Sequence, residues 1–220
     1  SHRDARVEPL ATGEAERLYA RARCGTITGD EADTLRRGFM FEQARMAADD
    51  GLVMTLHPAV YRNHHPATFH RYGPDVGADI PLQVEFTRAV APMLAAFGTS
   101  PYFQVVFFTM DETVYSRELA PLAGFYPSVY IGVPWWFIDA PDAMRRFRNA
   151  VTETAGFGRT SGFIDDTRAF LSIPARHDLS RRIDAGYLAG LVAEHRLSLD
   201  EAVDTATGLV VGNPRKAFKL

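Results

Sequence analysis

The 220-residue sequence is 46% hydrophobic and 23% charged, and its 24 basic and 27 acidic residues give a formal net charge of −3, which is ordinary for a soluble globular protein. The charges are mixed and no run of eighteen apolar residues occurs, so we expect neither a nucleic-acid partner nor a membrane span. The single cysteine, Cys24, excludes an internal disulfide and a Cys-rich zinc site, and it fits a reducing, cytoplasmic compartment.

Helical patterns alternate with short apolar runs along the chain. One helix is predicted over 14–24, and a longer one begins at Asp30 and stops at Gly51. Four apolar runs are predicted strands, at 52–57, 103–108, 128–133 and 162–165. Helices are predicted over 82–97, 111–123 and 141–154, and from Asp178 onward. Short strands that are each followed by a helix indicate parallel β/α units with both sheet faces covered.

Polar residues follow the predicted strands at their carboxyl ends. His57, Thr109 with Asp111, Trp135 and Asp166 occupy these positions. A β/α barrel collects its active site at that end of its strands. Four strands cannot close a barrel, for which about eight are required. We therefore expect an α/β fold in which this chain, residues 1–220, supplies about the last four β/α units of a single (β/α)8 TIM-barrel domain whose first half is absent.

Two of these strand ends carry groups suited to acid–base chemistry. Asp166 could bind a divalent metal or act as a base, and Arg168, two residues later, could grip a substrate carboxylate. The alternative is a surface Asp–Arg pair beside a helix N-cap. His57 could be a metal ligand, a general acid/base or a donor to sugar hydroxyls, or else a structural histidine.

Two adjacent tryptophans follow the third predicted strand. Indole rings commonly form the floor of sugar sites, with the N–H free to donate to an oxygen. Trp135 and Trp136 could serve in this way, and the alternative is that they pack between strand and helix.

Several segments in order resemble the uronate isomerase family, from about Leu52 to the end of the sequence. The segment 57–64 is similar to one in which a strand histidine precedes an Arg-Asn-Asn run, although here Arg62-Asn63 is followed by two histidines. Further matches are a Gly-Pro-Asp-x-Gly-x-Asp loop at 73–79, a Trp-Trp-Phe motif at 135–137, an Asp-Asp-Thr-Arg segment at 165–168, and the regions 176–182 and 213–218.

The resemblance implies an enzyme of the amidohydrolase superfamily that interconverts hexuronates and ketohexuronates, such as glucuronate and fructuronate or galacturonate and tagaturonate. It implies catalytic roles for Asp166, Arg168, Trp135 and His57, with Asp166 as a metal ligand. Substrate contacts are expected from Arg62, Asn63, Arg168 and Trp135. A divalent metal, most naturally zinc, is the expected cofactor, and no organic cofactor is implied. The family's His-x-His metal pair does not occur in this sequence.

Two other functions stay open on the residues alone. One is a metal-dependent hydrolase on the same scaffold, which should use several metal-binding histidines to orient its water. The other is a non-catalytic barrel fragment, which would have no reason to keep Trp135, Asp166 and Arg168 in register. The expected partners are a small uronic acid and further protein, in a homo-oligomer that includes the missing N-terminal half. We expect this chain alone to be inactive, because an open half-barrel exposes strand edges and apolar surface.

Overall fold

A computed structural model describes residues 4–77, 79–164, 167 and 169–220 of the chain. Its strands are short and its helices carry most of the residues. The strands are β1 Val53–Leu56, β2 Val60–Tyr61, β3 Ile80–Pro81, β4 Gln104–Phe107 and β5 Val129–Ile131. The helices are α1 Glu14–Arg23, α2 Gly29–Asp50, α3 Pro66–Tyr72, α4 Ala91–Phe97, α5 Ala120–Phe125, α6 Pro141–Ala155, α7 Ile173–Ala193, α8 Leu199–Thr207 and α9 Asn213–Phe218. None of these helices is long and apolar enough to cross a membrane.

Local capping explains where the long helix α2 begins and ends. The Thr28 side chain accepts a hydrogen bond from the backbone N–H of Glu31, whose carboxylate accepts one from the Thr28 N–H in return. This reciprocal capping box satisfies backbone donors that an α-helix leaves unpaired at its start. Gly51, at φ +70°, ends the helix in the left-handed conformation that glycine adopts without strain. The chain therefore enters β1 directly from the end of α2.

The central sheet is parallel, and its described strands lie in the order β1-β4-β5. Met54 pairs with Val105, which pairs with Val129, and Leu56, Phe107 and Ile131 are aligned in the same way. The predictions that these strands are parallel, adjacent and in chain order are confirmed. The side chains of these six residues belong to the main hydrophobic core. Helices α2, α4, α5 and α6 pack on this face of the sheet and complete the core.

The prediction of a fourth strand at 162–165 is wrong for 162–164, which the structure describes. Parallel pairing continues beyond β5 only as a single bridge between Ile131 and Thr160, and 162–164 are not strand. The chain turns away at Gly162, whose φ is +74°, and a Cβ at this position would lie 2.4 Å from Cγ of Pro214. The close approach of Pro214 therefore requires glycine there and ends the pairing. Asp165 lies outside the described residues.

The predicted helix over 82–97 is also wrong in its first half, since α4 begins only at Ala91. The buried carboxylate of Glu118 accepts hydrogen bonds from the backbone N–H groups of Phe86 and Thr87, at 2.6 and 2.9 Å. Those bonds hold the segment before α4 in a non-helical turn. At the other end of the chain, α7 begins at Ile173, earlier than the predicted Asp178, with a proline in its first turn.

The opposite face of the sheet is covered by the C-terminal helix. Val106 and Tyr130 point to this face and form a small cluster with Ala217 and Phe218, whereas Thr55 is exposed. Beyond the cluster, the Lys219 ammonium donates to the carbonyls of Gly51 and Tyr102, at 2.7 and 2.8 Å. Those carbonyls precede β1 and β4, so the C-terminal residues close the amino end of the sheet and leave its carboxyl end to the loops.

Candidate active site

His57 stands directly after β1, at the carboxyl end of the sheet. Its half-buried ring contacts three aromatic rings that follow the other two strands of the sheet, β4 and β5. The centroid of its imidazole lies 5.9 Å from that of Phe108, 5.2 Å from that of Trp135 and 5.7 Å from that of Trp136. The contacts with both tryptophans are edge-to-face, an arrangement that the ring quadrupoles favour. The parallel sheet therefore brings together side chains that are far apart in the sequence.

Residues 135–139, which we call the tryptophan turn, follow β5. The indoles of Trp135 and Trp136 stack with 5.3 Å between centroids and 21° between planes, and Phe137 continues the stack. Trp136 has φ +58°, in the left-handed region that a bulky residue seldom adopts. Such a conformation costs about 1–3 kcal/mol and persists only where surrounding contacts enforce it. The turn is thus a strained platform that its neighbours hold in place.

The indole nitrogen of Trp135 is buried, and among the residues that the structure describes it has no hydrogen-bond acceptor. A buried donor left in this state costs about 1–3 kcal/mol of desolvation. The same side chain lines a pocket, so an oxygen of a bound molecule could accept a hydrogen bond from the indole N–H. The sequence left two alternatives for the indoles, a role in a binding site or a role in packing. Trp135 combines both, because it packs against His57 and also lines a cavity.

Arg62 lies on the outer side of the tryptophan turn. The carbon of its guanidinium stands 5.2 Å from the centroid of the Trp136 ring, and its Nη1 is 3.6 Å from Oδ1 of Asp75. A cation at this distance is attracted to the face of an indole ring, and a guanidinium can offer two parallel N–H donors to a carboxylate. Asn63 is exposed at φ +55° and does not line the pocket. The structure therefore brings Arg62, but not Asn63, to the cavity.

The neighbouring histidines have local roles. His65 accepts a hydrogen bond from the backbone N–H of Thr68 and so caps α3, while the ring of His64 packs near that of Tyr61. Asp111, another strand-end residue, accepts from Val84 and Thr113. His64, His65 and Asp111 therefore make local structural contacts, in which His57 takes no part.

The pocket beside the tryptophan turn has a volume of about 620 Å³, and side chains of both charges line it. Asp139 and Arg176 form an ion pair in its wall, which the sequence did not lead us to expect. Asp75 and Asp79 belong to the Gly-Pro-Asp loop, whose motif was the available signal for them. The described lining residues are Arg62, Asp75, Gly77, Asp79, Trp135, Trp136, Phe137, Asp139, Thr167, Ala169 and Arg176.

Asp166 and Arg168, two of the predicted catalytic residues, lie outside the described residues. Thr167 and Ala169, on either side of Arg168, do line the pocket. Within the described ranges, no three His, Cys, Asp or Glu side chains are grouped so that they could hold a metal ion. The described residues therefore do not by themselves form the expected zinc site.

Comparison with known proteins adds a consistent set of relatives. The family model for glucuronate isomerase matches residues 5–217. A uronate isomerase of Cutibacterium acnes is 54% identical over the whole chain, and one of Corynebacterium efficiens is 52% identical over 217 residues. The chain covers 47% and 46% of these two proteins, so it spans about half the length of the curated relatives it matches.

Solved structures give the same result. The crystal structure of glucuronate isomerase from Caulobacter crescentus superposes with a TM-score of 0.96 at 49% identity, over 99% of this chain and 46% of that one. The uronate isomerase structure from Thermotoga maritima, at 23% identity and a TM-score of 0.92, shares the fold.

Proposed function

The chain belongs to the glucuronate isomerase family, and we propose that it forms the C-terminal part of a uronate isomerase. The reaction would interconvert hexuronates and ketohexuronates, such as glucuronate and fructuronate or galacturonate and tagaturonate. The observation that carries the proposal is the pocket at the carboxyl end of the sheet. Trp135, which packs against His57, and Arg62, whose guanidinium carbon stands 5.2 Å from the centroid of the Trp136 ring, both line it.

For the fold, we propose that residues 1–220 supply about the last four β/α units of a single (β/α)8 barrel. Two features support this assignment. β1 is an edge strand of the described sheet, and Thr55 is exposed on the face that α9 leaves partly uncovered. A further parallel strand beside β1 would pair its free backbone groups and cover Thr55. We expect this chain alone to self-associate, and its oligomeric assembly to include the missing half-barrel.

The pocket suits a sugar acid in both charge and shape. A stacked guanidinium offers parallel N–H donors to a carboxylate, and we assign Arg62 to this role together with Arg168. The indole N–H of Trp135 would donate to a substrate oxygen, and Asn63 would reach the substrate only after its loop moves. His57, in contact with Trp135, would hold or move a proton at a substrate hydroxyl.

Isomerisation of a 2-hydroxyaldehyde to a ketose moves one proton between carbons. A base takes the proton from C2 as O1 gains one, which gives an enediol; O2 then loses its proton and C1 receives one. We propose Asp166 as the group that takes and returns the carbon-bound proton. Donors at the oxygens lower the energy of the enediol, and Trp135 and His57 are placed to supply them.

A divalent metal, zinc in the first instance, stays a proposal. Asp166 would be its ligand from this chain, and the described residues offer no group of three ligands to join it. A bound metal would polarise the substrate oxygens. The hydrolase alternative is not favoured by the family assignment, and it would need several metal-binding histidines. We propose a cytoplasmic location, which fits the single exposed thiol of Cys24.

The test is reconstitution. This chain would be co-produced with the N-terminal half of the Cutibacterium acnes relative, to give what we call the two-part enzyme. We expect it to convert glucuronate to fructuronate with divalent metal present, and we expect His57→Ala and Arg62→Gln to lower the rate. A folded, stable two-part enzyme that is inert toward glucuronate and galacturonate would contradict the proposal. Turnover of ester or amide substrates instead would support the hydrolase.

A further inference from the structure

An ion pair between Asp139 and Arg176 ties the tryptophan turn to helix α7. Asp139 ends the short 3₁₀ helix Trp136–Ile138, and its backbone N–H donates to the Trp136 carbonyl at 3.3 Å. Its carboxylate accepts a hydrogen bond from the Arg176 guanidinium, in the first turn of α7. Both side chains are about three-quarters buried, so solvent screens the pair less than it screens a surface pair.

The ion pair joins two parts of the chain that border the pocket. The tryptophan turn follows β5, and α7 begins at Ile173, shortly after the pocket-lining residues Thr167 and Ala169. Both partners line the pocket, next to Trp136 and Thr167. Since Trp136 is held at φ +58°, a contact at the end of its turn resists relaxation of the backbone.

We propose that the Asp139–Arg176 ion pair is a positioning device, which holds the indoles of Trp135 and Trp136 at the pocket in the arrangement that catalysis requires. This inference rests on the proposed isomerase function. Neither residue needs to touch the substrate, because each acts through the backbone of the tryptophan turn. A displacement of a positioning group by about 1 Å can lower a rate about a hundredfold, so the device has a measurable consequence.

The competing explanation is that Arg176 binds the substrate carboxylate directly. The two explanations differ in their expectation for Asp139. A positioning pair fails equally when either partner is neutralised, and exchange of the two charges should restore it in part. A substrate-binding Arg176 would be released by Asp139→Asn, which would leave the affinity for glucuronate unchanged or raised.

The chain offers an optical probe of this turn. Its only tryptophans are Trp135 and Trp136, and they stack on one another. The tryptophan bands of the near-ultraviolet circular dichroism spectrum and the tryptophan emission of this chain therefore report on the turn itself. We would compare Asp139→Asn, Arg176→Gln and the charge-exchanged double variant Asp139→Arg/Arg176→Asp. The matched controls are Asp142→Asn and Arg145→Gln, which break an exposed pair on α6 at 2.7 Å.

We expect both single variants to change the near-ultraviolet spectrum, and to lower kcat/KM in the two-part enzyme by about ten- to a hundredfold, mainly in kcat. The double variant should recover part of both signals, and the controls should match the parent chain. Unchanged tryptophan spectra in both single variants would overturn the proposal whether or not the enzyme is active. So would a raised KM in Arg176→Gln alone. A folded, stable but inactive parent two-part enzyme, together with tryptophan spectra of this chain that still depend on the pair, would refute the isomerase function and leave the structural role of the pair intact.

Discussion

The imidazole of His57 and the indole of Trp135 meet edge-to-face, with 5.2 Å between ring centroids and 63° between ring planes. They follow β1 and β5, the two outer strands of the described parallel sheet, and β4 lies between them. The contact can form because the carboxyl ends of parallel strands meet at one edge of the sheet. Substitutions on each side of this contact are therefore expected to affect the same reaction step.

Trp135→Phe should separate packing from hydrogen bonding. Phenylalanine retains an aromatic ring against His57 but lacks the buried N–H. We expect kcat/KM of the two-part enzyme to fall by about ten- to a hundredfold, as one donor to a developing charge is lost. The free energy of unfolding should stay the same or rise slightly, because the change removes a buried donor that has no acceptor among the described residues. Steady-state kinetics with glucuronate and urea unfolding would check both expectations. Full activity in Trp135→Phe would exclude the indole N–H from catalysis.

Arg62→Lys should impair substrate binding more than turnover. Lysine keeps the positive charge but has neither the planar fork nor the stacking surface that Arg62 presents over Trp136. We expect KM for glucuronate to rise about tenfold, with kcat changed by less than a factor of about three. Arg45→Lys, at an exposed pair on α2, is the control. An unchanged KM would assign the substrate carboxylate to another cation, of which Arg168 is the first candidate.

The buried Arg148 gives a prediction about stability alone. Its Nε and Nη2 donate to the two carboxylate oxygens of Asp184 at 2.7 and 2.8 Å, which ties α6 to α7. Asp184→Asn would leave a buried guanidinium without its counter-charge, and we expect a loss of about 3–5 kcal/mol in urea unfolding. Asp178→Asn, which breaks an exposed pair on the same helix, should change stability by less than about 1 kcal/mol. Equal losses in the two variants would contradict this assignment.

Asp4 should make stability depend on pH in the acid range. Partial burial opposes its ionisation, but hydrogen bonds from Arg6 and Arg36 outweigh that effect and lower the pKa of Asp4 from 3.8 to about 2. Because the folded pKa is the lower one, the stabilisation is present above about pH 4 and is lost as pH falls through about 2. The side chain is 30% exposed, so we expect solvent screening to limit the effect to about 1 kcal/mol.

The measurement is urea unfolding of the parent chain and Asp4→Asn at pH 7 and at pH 2. The parent should be more stable at pH 7, and the difference should shrink toward pH 2, where Asp4 is about half protonated in the folded state. Glu42→Gln, at an exposed pair on α2, controls for the removal of an acidic residue. A difference that persists unchanged at pH 2 would show that the charge of Asp4 is not its cause.

The sequence was informative wherever local apolar pattern decides structure. Strands β1, β4 and β5 lie inside the predicted runs, because each run is short, apolar and bounded by turn residues. The segment 82–90 was mispredicted because its backbone is bound by Glu118, about thirty positions away, and no local pattern contains that contact. The fourth strand was mispredicted because Pro214 packs on Gly162, and this contact is equally remote in sequence.

The candidate site also contains residues that the sequence could predict and residues that it could not. Residues at strand ends could be assigned because a parallel sheet places every such end at one edge, and His57 and Trp135 do lie there. Arg62, by contrast, reaches the pocket through its stack on Trp136, and Asp139 enters it through the Arg176 pair. These side-chain pairings connect separate loops, and their partners cannot be deduced from spacing. Asp166 and Arg168 fall outside the described residues, so their roles stay predictions.

The hydrogen bonds from Lys219 to the carbonyls of Gly51 and Tyr102 have a consequence for the order of folding. The contact with Gly51 joins positions 168 residues apart, and the contact with Tyr102 joins positions 117 apart. Closing such long loops costs entropy before the bonds form, so contacts of this kind slow folding. During synthesis, β1, β4 and β5 emerge from the ribosome well before Lys219 does. The amino end of the sheet therefore stays exposed until Lys219 has been synthesised. A nascent chain that stalls before Lys219 would present that end to chaperones.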